Sequence, residues 1–400
     1  MLRVLVGLGF LLAGAMAAEA LDVPEKPEGA IRFATFNVAL AGSAPGDIVA
    51  RLEFGSDRQA QLSAEVIQRV RPDVLLIQEL DRDDAGQALK YYVERYLESA
   101  QHGLAPLAYP YRVLLPTNTG VATGVDLNAD GLIGAQGTLY ALDAKGFGYY
   151  PGQYAFALVS SLPLGKARTF TDVLWSAMPG HRMPAGMSDA VRAVMPLSSK
   201  THALIPVEVA GGPITVVAAH PTPPIRVESV PRNADEIRLL VDLLHEARSR
   251  YAADDEGVVG GLPGGSFAVV MGDLNADPAS ESSDALNGAI RYLLDDPAVI
   301  DPKPTSPHGL LTAKFSRSMM RVDYVVPTAN LEVLQSGVFW PEDGDRLNEA
   351  SDHRLVWVDV RLPEPAAEAG ETAGGAAEAA TDAAASSAAD AGPARESEAR

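Results

Sequence analysis

Six short stretches of this 400-residue chain place polar side chains at or beside the ends of apolar runs. Together they supply one glutamate, three aspartates, two asparagines and two histidines: Asn37, Glu79, His220, Asp273, Asn275, Asp323, Asp352 and His353. Mg²⁺ takes oxygen ligands and keeps several waters, so one or two carboxylates suffice to hold it. The histidines can exchange protons with a water or with a phosphate oxygen. Each placement alone is usually a turn or cap, but the set indicates metal-assisted chemistry.

A framework of strands is needed to bring these side chains together. Apolar runs rich in β-branched residues predict strands over 31–39, 74–78, 111–115, 154–160, 204–209, 214–220, 267–271, 321–326 and 354–360. Apolar residues at three- and four-residue spacing predict helices over 57–69, 87–99 and 233–251. Many strands with fewer helices predict two packed sheets flanked by helices, in one domain.

The two ends of the chain differ in composition from the rest. Residues 1–20 combine an early arginine, an apolar run and small Ala-rich residues, which is typical of a secretory signal peptide. The apolar run is shorter than the ~20 residues that a membrane span needs. Residues 363–400 consist mainly of Ala, Glu, Gly and Ser, which predicts a disordered tail. We therefore expect an exported protein, periplasmic or secreted, with a folded domain over 21–362 and no transmembrane segment once mature.

The chain is acidic and contains no cysteine. Its formal net charge is −20, and the tail from residue 364 holds eight acids and two arginines, which leaves about −14 on the rest. Such a surface weighs against a nuclease that follows long nucleic acid, because duplex binding relies on Lys and Arg to displace counterions. Phosphate chemistry stays open, since a bound divalent cation can invert the local field. The absence of cysteine excludes thiolate chemistry and Cys-based metal sites.

The eight polar residues stand in six short motifs, and the order of these motifs along the chain is informative. These motifs read TFN (35–37), IQE (77–79), AAH (218–220), GDLN (272–275), VDY (322–324) and SDH (351–353). In this series the chain resembles the endonuclease/exonuclease/phosphatase superfamily, the DNase I-like metal-dependent phosphoesterases, over residues 31–360. The resemblance implies an α+β fold, a four-layer α/β/β/α sandwich of two packed, mainly antiparallel sheets flanked by helices. It makes 21–362 the catalytic domain.

The resemblance also implies a metal centre. Glu79 would be the principal Mg²⁺ ligand, with Asn37 and Asp352 nearby in the metal shell, and Mn²⁺ is an alternative ion.

The remaining motif residues would act on the substrate and the water. Asp273 would orient or deprotonate the attacking water, and Asn275 would hold that water or the phosphate. His220 would donate to a non-bridging phosphate oxygen. His353, oriented by Asp323, would complete the acid/base or oxyanion set, and the general base is not assigned to one residue.

Three residues outside the motifs are candidate substrate contacts. Gln153 and Tyr154 lie where relatives often carry a substrate-facing tyrosine, although core packing explains Tyr154 equally well. Lys200, just before a predicted strand, is a candidate phosphate contact, while most lysines are simply solvated. The chain also departs from its relatives: they commonly read Leu-Ser-Arg where residues 158–161 read LVSS, so the arginine is missing.

The string DLNAD occurs twice, at 126–130 and at 273–277. The second copy follows an apolar strand and contains the GDLN residues. In the first copy, Asp126, Asn128 and Asp130 match the first half of a Ca²⁺ loop, but Gly137 stands where the bidentate acid belongs. Two interpretations of the first copy stay open, a plain turn, which is slightly favoured, and a weak structural Ca²⁺ site.

Three functions fit the sequence. The first is an exported Mg²⁺-dependent phosphoesterase, a monomer, that hydrolyses a small or lipid-linked phosphomonoester or phosphodiester by in-line attack of an activated water. The second is a secreted nuclease of the same fold, with a local basic patch formed by Arg226, Arg232 and Arg238. The third is a non-catalytic binding protein on this fold, which predicts a damaged chemical position, and none of the eight is damaged.

Overall fold

The computed structural model describes residues 23–279 and 283–364. The predicted signal peptide and nearly all of the predicted tail lie outside these residues and stay predictions. The strands are β1 (Ile31–Leu40), β2 (Val74–Leu80), β3 (Tyr111–Leu114), β4 (Phe156–Ser160), β5 (Arg168–Thr169), β6 (His202–Val207), β7 (Ile214–Ala219), β8 (Phe267–Asp273), β9 (Ala313–Lys314), β10 (Met319–Met320), β11 (Asp323–Pro327), β12 (Glu332–Phe339) and β13 (Leu355–Arg361). The α-helices are α1 (Asp47–Leu52), α2 (Arg58–Val70), α3 (Gln87–Tyr92), α4 (Thr138–Leu142), α5 (Asp189–Val194), α6 (Ser229–Asp242) and α7 (Ser283–Leu294).

Two sheets form the centre of the fold. The larger sheet has the order β12-β13-β1-β2-β4-β3, and the smaller one has the order β11-β8-β7-β6-β5. Each sheet contains one parallel pair, β1/β2 in the larger and β7/β8 in the smaller, and its other pairs are antiparallel. The predicted arrangement of two mainly antiparallel sheets is confirmed.

Successive side chains of the central strands point to opposite faces of their sheet. One face packs against the other sheet, and the opposite face packs against helices. Leu76 and Val216 pack between the sheets, whereas their neighbours Ile77 and Val217 point the other way. Ile77 belongs to the core under α1, α2 and α3, and Val217 belongs to the core under α6 and α7. Each of these four side chains is fully buried, which contributes roughly 1.5–3 kcal/mol apiece. The result is the predicted four-layer sandwich, helices on sheet on sheet on helices.

Some element boundaries differ from the sequence prediction. The helix predicted over 233–251 is α6, which begins earlier and ends at Asp242, because the Leu243 carbonyl accepts from Leu262 N and the chain then turns away. The helix predicted over 87–99 continues after Tyr92 as one π-helical turn. The edge strand β12 was not predicted, since its sequence EVLQSGVF lacks a clear apolar run; four of its eight residues are half-buried and one is exposed. In the described chain no helix is long and apolar enough to cross a bilayer.

Candidate active site

The motif residues converge on one end of the two sheets because of strand direction. The parallel strands β1 and β2 both end there, and so do β7 and β8. Strands β11 and β13 run antiparallel to their neighbours and therefore begin at the same end. Asp323, the first residue of β11, stands directly opposite Asp273, the last residue of β8. His220 follows β7 immediately.

Asn37 joins the two sheets. Its Nδ2 donates to Asp273 Oδ2 over 3.2 Å, and its Oδ1 accepts from Ala39 N at 3.1 Å. Ser351 ties the SDH segment to the same strand, because its hydroxyl donates to the Asn37 carbonyl at 2.7 Å and accepts from His353 N at 3.0 Å. Residues from β1, β8 and the start of β13 are thus held in one cluster.

A β-bulge presents Glu79 to the site. The register between β1 and β2 shifts after the Asn37–Gln78 pair, and Glu79 adopts a φ of +56°. Its side chain is 28 % exposed, whereas Gln78 and Leu80 beside it are buried. Positive φ at a non-glycine residue costs about 1–3 kcal/mol and is typical of functional sites. Tyr154 and Asn275 have the same conformation, with φ of +54° and +51°.

Gly272 permits the close approach of β7 and β8. A Cβ at this position would lie 2.0 Å from the Ala219 carbonyl oxygen, so only glycine fits. The approach brings His220 Nε2 to 3.4 Å from Asp273 Oδ2. Asp273 Oδ1 in turn accepts from Asn275 N at 3.0 Å. The second DLNAD string therefore folds back on its own aspartate beside the histidine of the neighbouring strand.

The buried aspartate and its histidines hold opposite charges. Burial alone would raise the pKa of Asp273, but the positive charge of His353 and the hydrogen bond with His220 lower it well below its usual range. Burial would also lower the pKa of His353, but the charges of Asp323 and Asp273 raise it. At His220, burial and the nearby Lys200 ammonium lower the pKa. At neutral pH the site therefore contains an ionised Asp273, a cationic His353 and a neutral His220.

Asp323 orients His353. Its carboxylate oxygens lie 3.0 and 3.1 Å from His353 Nδ1, and His353 Nε2 lies 3.7 Å from Asp273 Oδ2. The Thr312 hydroxyl oxygen accepts from Asp323 N at 3.0 Å and from Val322 N at 2.9 Å, which fixes the start of β11. The imidazolium can thus donate from Nε2 toward the centre of the site.

The donor set fits a hard divalent cation. Ligand atoms of Glu79, His220 and Asp273 lie within 4.8 Å of one another, and those of Asp273, Asp323 and His353 form a second such group. Within residues 23–279 and 283–364 the Glu79 carboxylate accepts no hydrogen bond, and His220 Nε2 is 4.0 Å away. In the described chain the Glu79 carboxylate therefore has oxygen lone pairs available to bind an ion. With the Asp273 carboxylate nearby, this donor set suits Mg²⁺ or Mn²⁺. Asp352 is exposed and belongs to neither group, although its charge reaches His353.

The three substrate candidates have different surroundings. The buried Gln153 amide is used within the protein, since Nε2 donates to the Gly42 carbonyl and Oε1 accepts from Tyr149 N. Tyr154 is half-buried, and burial together with the charge of Glu79 raises the pKa of its phenol. Burial lowers the pKa of Lys200, while Glu79 and Asp273 among others oppose that shift. The charge of Glu79 thus acts on the pKa of both Tyr154 and Lys200, whereas Gln153 supports a loop.

The first DLNAD copy forms a turn. The Asp126 carboxylate accepts from Asp130 N at 3.2 Å and from Gly131 N at 2.8 Å. Asn128 Nδ2 donates to Asp130 Oδ2 at 3.0 Å. No group of three acidic or histidine ligands in the described residues includes this copy. Its oxygens serve as acceptors for the backbone, and the Ca²⁺ interpretation stays a prediction.

One buried acid near Glu79 was missed by the sequence analysis. Asp81 accepts from Gly42 N at 2.7 Å, from Tyr154 N at 3.0 Å and from the Tyr150 hydroxyl at 2.5 Å. It therefore anchors two loops, the one after β1 and the one before β4, around the Glu79 bulge. The available signal was its position two residues after Glu79 in IQELD. Thr312 offered no such signal, because a lone threonine in a loop is unremarkable.

Comparison with known proteins finds a family match over most of the chain. The model of the Endonuclease/Exonuclease/phosphatase family matches residues 34–353, which contain all eight motif residues. The solved endonuclease/exonuclease/phosphatase from Beutenbergia cavernae DSM 12333 is 19% identical with a TM-score of 0.51, covering 83% of this chain and 72% of that one. A family protein from Leptotrichia buccalis C-1013-b is 15% identical with a TM-score of 0.48, covering 83% and 100%. At 19% identity the likeness to the Beutenbergia cavernae structure concerns the fold alone. No curated protein matches the chain.

Proposed function

Because the chain belongs to the Endonuclease/Exonuclease/phosphatase family, we propose that it is an exported, Mg²⁺-dependent phosphoesterase, periplasmic or secreted. It hydrolyses a phosphomonoester or phosphodiester by in-line attack of an activated water. The observation that carries the proposal is the clustering of Glu79, His220 and His353 around the buried carboxylate of Asp273.

Glu79 would hold the metal ion, with Asn37 and Asp352 as further oxygen donors. A bound Mg²⁺ supplies Lewis-acid polarisation of a phosphoryl oxygen and offsets its charge. Mn²⁺ prefers similar oxygen donors and is the alternative. The free Glu79 carboxylate supports this assignment most directly.

The other residues position the water and stabilise charge. Asp273 is ionised at neutral pH, and so it can orient the attacking water through a hydrogen bond. His353 donates from Nε2 to the oxygen on which negative charge develops. The single N–H of neutral His220 would donate to a non-bridging oxygen in place of Asp273 Oδ2. Asn275 Nδ2 donates to the Pro221 carbonyl at 3.1 Å, which holds the loop after His220 against the GDLN turn.

A small or lipid-linked substrate is favoured over long nucleic acid. The net charge is −20, and two of the three arginines of the proposed basic patch are engaged elsewhere. Arg232 is buried and donates to the carbonyls of Leu197 and Pro196. Arg238 donates to the carbonyls of Gly180 and Pro179. Arg226 is then the one member of the proposed patch that donates to no carbonyl of the described chain, with Glu228 3.9 Å away, which weighs against phosphate-backbone binding at this surface.

A substrate panel tests the proposal. The purified protein is assayed at fixed Mg²⁺, with EDTA as control, on p-nitrophenyl phosphate, bis-p-nitrophenyl phosphate, sphingomyelin and plasmid DNA. We expect EDTA-sensitive hydrolysis of at least one of the three small or lipid esters. Faster degradation of plasmid than of these esters would favour the secreted nuclease. If Glu79→Ala and His353→Ala change no measurable activity, the proposed function is wrong and the protein is a non-catalytic binding protein on this fold.

A further inference from the structure

Lys200 is a buried lysine that lacks an ion pair. Its residue is 5 % exposed, and its ammonium makes neither a hydrogen bond nor a salt bridge with any part of the chain that the structure describes. Lysine is rarely buried without a partner, because taking an ammonium out of water is unfavourable unless an anion compensates it. The Lys200 ammonium therefore has N–H donors that no residue of the described chain accepts and that a ligand can use.

Lys200 lies at the same end of the smaller sheet as the candidate active site, because β6 begins two residues later at His202, which pairs with Ala219 next to His220. Its electrostatic partners include Glu79 and Asp273, and its charge also acts on His220. A divalent cation would offset the charge of those two carboxylates, which are too distant to pair with Lys200 directly. The charge of the buried Glu236 also acts on the ammonium, but this carboxylate accepts hydrogen bonds from Ser199 and Thr222 and forms no salt bridge with Lys200 in the described chain. The ammonium therefore has no direct anionic partner there, and an anionic ligand at the metal would supply one.

A second buried acid fixes the position of Lys200. Glu236, on α6, is 1 % exposed, and its Oε1 accepts from Ser199 N at 2.6 Å and from Ser199 Oγ at 2.7 Å. Its Oε2 accepts from Thr222 N at 2.7 Å. One carboxylate thus holds the residue before Lys200 and the second residue after His220. These hydrogen bonds fix the two phosphate-donor candidates relative to each other.

We propose that Lys200 binds a non-bridging phosphate oxygen of the substrate beside His220, and that Glu236 positions both. Lysine suits this role as a compact charge with three donors. The ligand class is a phosphoester or free phosphate, since an anion that also binds a hard cation must offer oxygen donors. The inference takes its substrate from the proposed function, but its binding step can be measured without turnover.

The test is calorimetric titration of inorganic phosphate into Mg²⁺-saturated protein. Lys200→Met is expected to weaken phosphate binding about tenfold or more, and Lys200→Arg to retain most of it. Lys166→Met is the matched control, because Lys166 is exposed and pairs only with Glu256 at the surface. Circular dichroism establishes that each variant is folded, and Lys200→Gln repeats the measurement if the methionine variant is not.

Glu236→Gln tests the positioning role. It is expected to weaken phosphate binding in the wild-type background but to add little in Lys200→Met, because both changes remove the same contact. A merely structural role would instead produce effects that add. Additive effects would overturn the assignment of Glu236 as a positioning residue.

The outcomes separate this inference from the proposed function. Unchanged phosphate affinity in Lys200→Met, or no phosphate binding by the wild type, would overturn the inference even if the panel esters are hydrolysed. Phosphate binding that depends on Lys200, without hydrolysis of any panel ester, would support the inference and contradict the proposed function.

Discussion

Asp323 and His353 form a buried pair in which Oδ2 of the aspartate lies 3.0 Å from Nδ1 of the histidine. The pair fixes the ring, so that Nε2 faces Asp273 Oδ2 at 3.7 Å. Burial opposes the charge on His353, but Asp323 and Asp273 raise its pKa. The aspartate therefore determines both the direction and the charge of the imidazole.

Asp323→Asn removes the negative charge that keeps His353 protonated. We expect kcat to fall about a hundredfold or more with little change in KM. The pKa of His353 is raised in the wild type, so the imidazolium persists through neutral pH. In the variant the pKa of His353 falls toward its ordinary value. The variant should therefore lose activity as the pH rises from about 6 to about 8, while the wild type should not. Parallel kcat–pH profiles at saturating Mg²⁺ would contradict this role.

Glu79→Gln should impair metal binding. The substitution keeps the size of the side chain but removes the charge that a hard cation requires. We expect the dissociation constant for Mg²⁺ to rise about tenfold or more by calorimetry. Glu349→Gln is the control, since Glu349 pairs with Arg58 at the surface. Equal Mg²⁺ affinity in both variants would show that Glu79 is not the principal ligand.

Gly272→Ala should destabilise the fold. The added Cβ would meet the Ala219 carbonyl oxygen at 2.0 Å, and neither backbone can yield without separating β7 from β8. We expect the free energy of unfolding to fall by about 2–4 kcal/mol in urea denaturation. Gly264→Ala is the control, because its Cβ would meet no atom within 4 Å. If both variants unfold alike, the close approach is not required.

Asp301→Asn should show a pH-dependent loss of stability. Asp301 accepts two hydrogen bonds, of 2.8 and 2.6 Å, from Arg321, which lies just before β11. Burial would raise the pKa of Asp301, but Arg321 lowers it. A lowered pKa stabilises the fold above the ordinary carboxyl pKa, and this stability is lost as the pH falls through the folded value.

The variant should therefore be less stable than the wild type by about 1–3 kcal/mol at pH 7. The difference should shrink as the pH falls below about 4, because the wild-type carboxylate is then protonated as well. Urea denaturation at several pH values measures it. A difference that does not change between neutral and acidic pH would exclude the ion pair as its cause.

Asp126→Asn and Asp273→Asn should separate the two DLNAD copies. Asp126 accepts only backbone N–H groups within the described chain, so its loss should leave kcat unchanged, whereas Asp273→Asn should reduce kcat about a hundredfold or more. Added Ca²⁺ is expected to leave the melting temperature unchanged. A Ca²⁺-dependent rise that Asp126→Asn abolishes would show instead that the first copy binds the ion.

The sequence predicted the clustering of polar side chains that the direction of the strands produces. Asn37, Glu79, Asp273 and Asp323 stand at strand ends, and two mainly antiparallel sheets with one parallel pair each must bring such ends together. An apolar run with a polar residue at one end was therefore enough to predict that these side chains lie close together, while their roles stay predictions.

Contacts between segments that are distant in the sequence could not be predicted in this way. Glu236 reaches Ser199 from 37 positions away, and nothing in the run NADEIRLL separates a buried acid from an exposed one. The Glu79 bulge likewise depends on a register shift that the pattern of β2 does not encode.

The dependence of phosphoester hydrolysis on free Mg²⁺ tests the central claim most directly. It is measured with the best small or lipid ester of the panel, on the wild type and on Glu79→Gln. We expect wild-type hydrolysis to rise with Mg²⁺ to saturation and to vanish with EDTA, and Glu79→Gln to require at least about tenfold more Mg²⁺ or to remain inactive. Hydrolysis that proceeds equally in EDTA, or identical Mg²⁺ curves for the two proteins, would contradict a metal-dependent phosphoesterase centred on Glu79.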